Sequence, residues 1–427
     1  MFTTSPSFAA LRHDIADLPI IDCHEHVSSR ERVDDVIQLL LGQYLEHDAI
    51  SAVGDTAAAA LLDASRSVEE RWPEFEPVWR AIRHTGYGIG ARRAIDALFG
   101  TDEVSLSNLN EWQTQLPDFS QPERFDEMIT DSKIEASVSD NWPPLGEIVD
   151  GSYSALPWQR LAVSLPSLHA ITRRSDLEPL ERAFGTTVTS LDEYVGLCRE
   201  LAVRWRSCGA VCMKDQSAYT RSIAYRMPTT ADAEREFNAI LENPRSAVAY
   251  DATGGVLSDY LMHAFMRIAR DLALPVQLHT GHMAGTRNDV AKANAAGLRS
   301  LLEVHRDVRF DLFHANWPYL GDLLFLAKNY PNVSIDMCWA YAIDPLYAKE
   351  TLKHALLTVP ATKIHGFGSD VGGHVPHLIR GYCEVARDVI AAALAELADE
   401  RVITATEALD IASMWLYENP KSFFGLG

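Results

Sequence analysis

Eight short β-rich runs recur along this chain, and most gaps between them carry apolar residues at helical spacing. The runs are LPIIDCHEH (Leu18 to His26), KIEASVSDNW from Lys133, RLAVSLPSLHA from Arg160 and GAVCMKDQ from Gly209. LPVQLHTG from Leu274, VRFDLFHAN from Val308, VSIDMCWAYA from Val333 and KIHGFGSD from Lys363 complete the set. Between the later runs, DYLMHAFMRIARDLAL, GLRSLLEVH, LGDLLFLAKNY and LYAKETLKHALL repeat apolar residues every three or four positions. Strands alternating with helices point to βα units on a parallel sheet. Eight units predict the α/β class and a closed (β/α)8 TIM barrel; an open doubly wound sheet usually has fewer strands.

Two stretches depart from the repeat. Residues 28–131 show no clear strand and read as helices with aromatic punctuation, as in VIQLLLGQYLEHDAI and FEPVWRAIRHTGYG. A separate helical domain is one reading. The preferred one is a helical insertion after the first strand, since loops at that end of a barrel strand often cover the active site. The predicted organisation is therefore residues 1–27 as N-terminal segment and first strand, 28–131 as a helical lid, and 132–427 as the rest of the barrel. After Asp370 the chain ends in long helical patterns that fit a closing helix and a packing tail.

The net charge of −21 is spread without a long single-sign block, which disfavours nucleic acid or an anionic membrane surface as partner. Six cysteines with no CxxC pair read as reduced thiols. No apolar run has signal-peptide or membrane-helix length, so the expected location is cytoplasmic. The expected partner is a small-molecule substrate, with homo-oligomerisation anticipated on general grounds.

The chemistry gathers at the predicted strand ends. Asp22, His24 and His26 alternate along the first run, so both imidazoles share a face near its carboxyl end. His279 closes the fifth run, His314 the sixth and Asp370 the eighth; Lys214 lies late in the fourth, with Cys212 and Gln216 on its face. Alone, each has an ordinary explanation, such as a helix cap for Asp370. Together they predict a site for a divalent cation at the end where barrel active sites lie. Imidazole nitrogen and carboxylate oxygen suit zinc, with manganese also accepted. Asp370 would serve as ligand and as base, Asp22 would orient a ligand or bond a strand end, and Gly366 and Gly368 would leave room for ion and substrate.

HEH on the first strand, Lys214, His279, His314 and Asp370 resemble the motif order of the amidohydrolase superfamily of metal-dependent barrel enzymes. The resemblance implies His24, His26, His279 and Asp370 as metal ligands, and His314 as a ligand or substrate contact. It implies catalytic roles for Asp370, Lys214 and His314. In binuclear relatives the fourth-strand lysine is carboxylated and bridges two ions. CMKDQSAYTRS also resembles the "amidohydrolase 2" branch, where one ion often suffices and an unmodified Lys214 would face a substrate carboxylate. One ion is favoured. The insertion after HxH, Trp339 and Tyr341 are similar to uronate isomerases, although LEHDA departs from their YxW-type segment.

Further candidates for substrate contact are Arg221, His282, Trp317, Tyr319, Trp339, Tyr341 and Arg380. His374 and His377 read as loop histidines near the mouth. The chain has no GxxxxGK[ST], GxGxxG, GxSxG or HExxH motif at the required context, which leaves nucleotide binding and serine-hydrolase chemistry without support. The expected activity is metal-dependent hydrolysis of a C–N or C–O bond in a small anionic molecule. Uronate-type isomerisation or decarboxylation on the same barrel is the alternative.

Overall fold

Each of the eight β-rich runs supplies one strand in a computed structural model that describes residues 2–27, 32–373 and 375–427. The strands are β1 (Ile20–Glu25), β2 (Ile134–Ser139), β3 (Gln159–Ser164), β4 (Ala210–Asp215), β5 (Val276–Leu278), β6 (Phe310–Leu312), β7 (Val333–Asp336) and β8 (Ile364–His365). They pair in parallel in sequence order, so the fold is a (β/α)8 barrel. Such strands are covered on both faces, and their polar residues, Asp22, Lys214, Gln277, Asp311 and Asp336 among them, are buried with the apolar ones.

The seam between β8 and β1 is irregular. β8 stops at His365, and the chain then runs alongside β1 as an extended segment. Cys23 N–H donates to Phe367 O (3.0 Å), Asp370 N–H to His24 O (2.8 Å) and His26 N–H to Val371 O (2.8 Å). Asp370 thus lies five residues past the last regular strand, a correction to its expected place at the strand finish.

Residues 32–131 hold helices from Val36–Leu41 to Pro122–Asp131 and, among the described residues, no strand. Ser67 and Glu70 form a capping box that starts the helix Val68–Ile82, and buried Arg71 of that helix bonds Asp35 Oδ1 at 3.0 Å. The apolar side chains of this segment join the same core as the barrel. The helices Gly86–Phe99 and His377–Asp399 cross where Gly90 faces Tyr382 and Gly381 faces Gly90 O. A Cβ at either glycine would come within 2.3 Å of those atoms, so only glycine permits the approach. No helix among the described residues is long and apolar enough to cross a membrane.

The expected role of Gly366 and Gly368 is also corrected. A Cβ on Gly366 would strike Trp415 at 2.9 Å, and one on Gly368 would strike Cys338 at 2.7 Å. These glycines admit protein side chains into the barrel, not an ion. His374 and residues 28–31 lie outside the described residues.

Candidate metal centre

The end of β1 and the seam beside it bring two imidazoles to one carboxylate. His24 Nε2 lies 3.7 Å and His26 Nε2 3.3 Å from Asp370 Oδ1. His24 is fully buried, and neither of its ring nitrogens has a hydrogen-bond partner among the described residues. His26 Nδ1–H donates to Asp140 O (2.8 Å), its Nε2 carries a second proton toward Asp370, and its ring stacks on Trp142. Asp370 adopts a left-handed φ of 55°, a conformation that a non-glycine residue holds only when its surroundings fix it. Gln43 and Tyr44 do so: Gln43 Nε2 donates to Asp370 O (3.2 Å) and Tyr44 O–H to the same carbonyl (2.5 Å).

Two further histidines stand opposite. His279 Nε2–H donates to His282 O (2.7 Å), and His314 Nδ1–H donates to Cys338 O (3.0 Å). A backbone carbonyl only accepts, so the outward nitrogens carry the protons and both inward nitrogens are lone pairs. Those inward atoms, His279 Nδ1 and His314 Nε2, are 3.1 Å apart. Ligand atoms of His24, His26 and Asp370 lie within 4.8 Å of one another, as do those of His314, Cys338 and Asp370. Asp370 is common to both groups. His279 joins through His314 and is not in the His24 group.

Electrostatics agree with a site awaiting positive charge. Burial pushes His24 and His279 well below the usual imidazole range, and His314 down to about 3. Burial acts the same way on His26, but its hydrogen bond to Asp370 and that residue's charge outweigh it and raise His26 to about 9. Burial also works to raise Asp370, yet its bond to His26 and the charges of His314, His26 and His24 hold it well below the usual carboxylate range. The neutral, buried His24, His279 and His314 around an ionised carboxylate, joined by His26 once it gives up its proton, form the donor set that a borderline-soft divalent cation takes.

Lys214, 2% exposed, sets Nζ 3.7 Å from the centre of the Phe313 ring, which itself packs on His24. Asp22 orients no imidazole: its Oδ1 accepts from Ser369 N–H (2.8 Å) and His24 N–H (3.2 Å), so it pins the seam. His282 meets Tyr87 Oη (3.1 Å), Trp317 and Trp339. Trp339 in turn packs on Tyr44, Tyr87 and His314. Tyr319 is half-buried in the loop beyond, its N–H donating to Asn316 O.

Three expected substrate contacts do not reach the site. Arg221 is fully buried, donating to Ser258 Oγ (2.9 Å) and Asp259 Oδ1 (2.5 Å). Tyr341 is buried with its hydroxyl on Gly366 O (2.6 Å). Arg380 pairs with Asp131 (3.0 Å) and lines a different cavity with Phe119 and Met128. His377 bonds Leu39 O (3.1 Å) in the helical segment, not the centre. In their place come Gln43, Tyr44 and Tyr87 from that segment, Asp140 and Trp142 after β2, Tyr219 against His279, and Cys338 after β7. The only signal for the helical residues was the aromatic punctuation of QYLEH and HTGYG.

Comparison with known proteins gives a consistent picture. The family model described as "Amidohydrolase" matches residues 21–426. The chain superposes on glucuronate isomerase from Caulobacter crescentus with a TM-score of 0.77 at 18% identity, covering 100% of this chain and 96% of that one. Uronate isomerase from Thermotoga maritima gives 0.78 at 16% identity, covering 99% and 98%. At these identities the likeness is one of fold. Protein fluG of Emericella nidulans is 26% identical over 176 residues, 40% of this chain and only 20% of that protein's length.

Proposed function

Because this chain belongs to the amidohydrolase family, we propose that it is a metal-dependent hydrolase of a small anionic molecule, breaking a C–N or C–O bond. His24, His26 and Asp370 would hold the ion, with His279 and His314 facing it from across the mouth. Zinc is the preferred ion for this nitrogen-rich set, and manganese is compatible. The observation that carries the reading is the gathering of His24, His26 and His314 around one ionised carboxylate, with the inward lone pairs of His279 and His314 side by side. Bound there, a divalent cation supplies Lewis acidity and makes water a nucleophile near neutral pH.

The protein's own groups do the rest. The Asp370 carboxylate accepts the proton that the attacking water gives up and returns it to the leaving group. Tyr44 and Gln43 hold the Asp370 carbonyl so that this carboxylate keeps one orientation. Lys214, unmodified and without a carboxylate partner among the described residues, offers its ammonium to a substrate anion. Trp339, Tyr44, Tyr87 and His282 wall the mouth with rings that would exclude water and bear on a flat substrate.

Uronate-type isomerisation is the second reading, supported by the whole-chain likeness to two uronate isomerases, helical segment included. Decarboxylation would use the same groups. Product mass from a substrate panel in heavy-oxygen water separates the three. Hydrolysis places the label in product, isomerisation leaves the mass unchanged, and decarboxylation releases carbon dioxide. Metal-reconstituted protein that gives no labelled product with any hydrolysable member would overturn the hydrolase reading.

A further inference from the structure

Below the mouth, the barrel interior is polar where such barrels usually pack branched apolar side chains. Cys23 on β1, Asp311 on β6, Asp336 on β7 and His365 on β8 are all buried to 1% exposure or less. Cys23 Sγ, an Asp336 carboxylate oxygen and an imidazole nitrogen of His365 lie within 4.8 Å of one another. His365 Nδ1 is bonded to Asp311 Oδ1 at 2.8 Å. Asp311 Oδ2 and Asp336 Oδ2 are both buried without a hydrogen-bond partner among the described residues.

Two carboxyl groups in a sealed interior, each with an unpartnered oxygen, need a compensating charge or a shared proton. A proton would satisfy the carboxyl pair alone. It would not explain why a thiol and an imidazole meet one of those carboxyls at ligand spacing. Cys, His and Asp are the donor types of tetrahedral zinc sites, and an imidazole backed by a carboxylate is the usual supporting arrangement around such ions.

We propose that the barrel interior holds a second, structural divalent cation of the zinc class, coordinated by Cys23, Asp336 and His365, with Asp311 orienting the imidazole. Cys23 binds as thiolate, its proton leaving to solvent as the ion enters. The rings of Phe423 and Phe424 lie against His365, with centroids 4.6 and 6.0 Å away, and close the cluster from the C-terminal tail. The ion therefore enters as the chain folds and does not exchange with solvent in the native barrel. This site is independent of the one at the mouth.

The test is metal counting on full-length protein expressed in zinc- or cobalt-supplemented medium. After native chelator treatment that empties the mouth, wild type and His26→Ala should each keep one ion per chain. Cys23→Ser and Asp336→Asn should lose it. With cobalt, the thiolate-to-metal charge-transfer band should vanish in Cys23→Ser and persist in Cys338→Ser. Chelator-treated, folded wild type with substoichiometric metal would overturn the proposal and favour the shared proton. So would Cys23→Ser retaining its ion, or a thiolate band lost only with Cys338. Should the interior variants fail to fold, the wild-type count and its cobalt band decide the matter on their own.

Discussion

His279 Nδ1 and His314 Nε2 face each other at 3.1 Å while each ring donates from its other nitrogen to a backbone carbonyl. Two lone pairs in contact are repulsive unless a proton or a cation lies between them. Burial pushes both imidazoles down in pKa, which disfavours the proton. Replacing either histidine with Ala should weaken zinc binding at the mouth by about a hundredfold. Replacing His24 and His26 together should abolish it. Competition titration against a chromogenic chelator checks both.

Metal binding should be strongly pH-dependent. His26 is raised to about 9 in the metal-free protein, so below that pH a proton must leave before its Nε2 can bind. The apparent affinity should fall about tenfold for each pH unit below 9 until other ligands protonate. Calorimetry in buffers of different ionisation enthalpy would count the released proton. A flat profile between pH 7 and 9 would contradict the His26–Asp370 pairing.

Asp22 gives a second pH dependence with a defined sign. Burial raises it to about 7 in the folded protein, above its value in the unfolded chain. The folded state then binds more protons between those two values, so stability falls as pH rises toward 7. Between about pH 5 and pH 8 the loss should be on the order of 2 kcal/mol. Asp22→Asn keeps the acceptor for Ser369 N–H and His24 N–H without the charge. Urea denaturation of metal-free protein should show that slope flattened in the variant.

Tyr44→Phe removes the hydroxyl that anchors the Asp370 carbonyl while keeping the ring against Trp339. Turnover should fall about tenfold with metal content unchanged, because the carboxylate loses its fixed orientation. Asp370→Asn should cost about a hundredfold or more in turnover. Steady-state kinetics with parallel metal analysis separates the two effects.

Arg221→Gln should behave as a stability mutant. Its guanidinium is enclosed by Asp259 and Ser258, and Arg226 is the remaining partner of Asp259. Leaving that buried carboxylate half-paired should cost about 3 kcal/mol. Thermal or urea unfolding would register the loss while KM stays near that of wild type.

The strands were legible because short β-rich runs recur along the chain and most gaps between them carry a 3.6-residue apolar period. The convergence of His24, His26, His279, His314 and Asp370 followed from the same regularity, since strand ends in a parallel barrel share one mouth. What escaped the sequence came from positions with no period. Tyr44 and Tyr87 sit on helices whose packing depends on the Gly90–Gly381 crossing, and no local pattern announces that contact. Arg221 looks like an anion binder until Asp259, on a helix of its own, is found to occupy it. HGFGSD follows a β pattern and reads as a strand finishing at Asp370, yet the glycines there yield to Trp415 and Cys338 and the strand ends early.

That early ending leaves the cylinder fastened at one side by three amide contacts between residues more than three hundred positions apart, two of them made by Asp370 and His26. An ion gripped by His24, His26 and Asp370 would act as a clasp across this joint. Loading and mechanical closure would then be one event. An emptied molecule would breathe first at the place where its reacting groups must be held still.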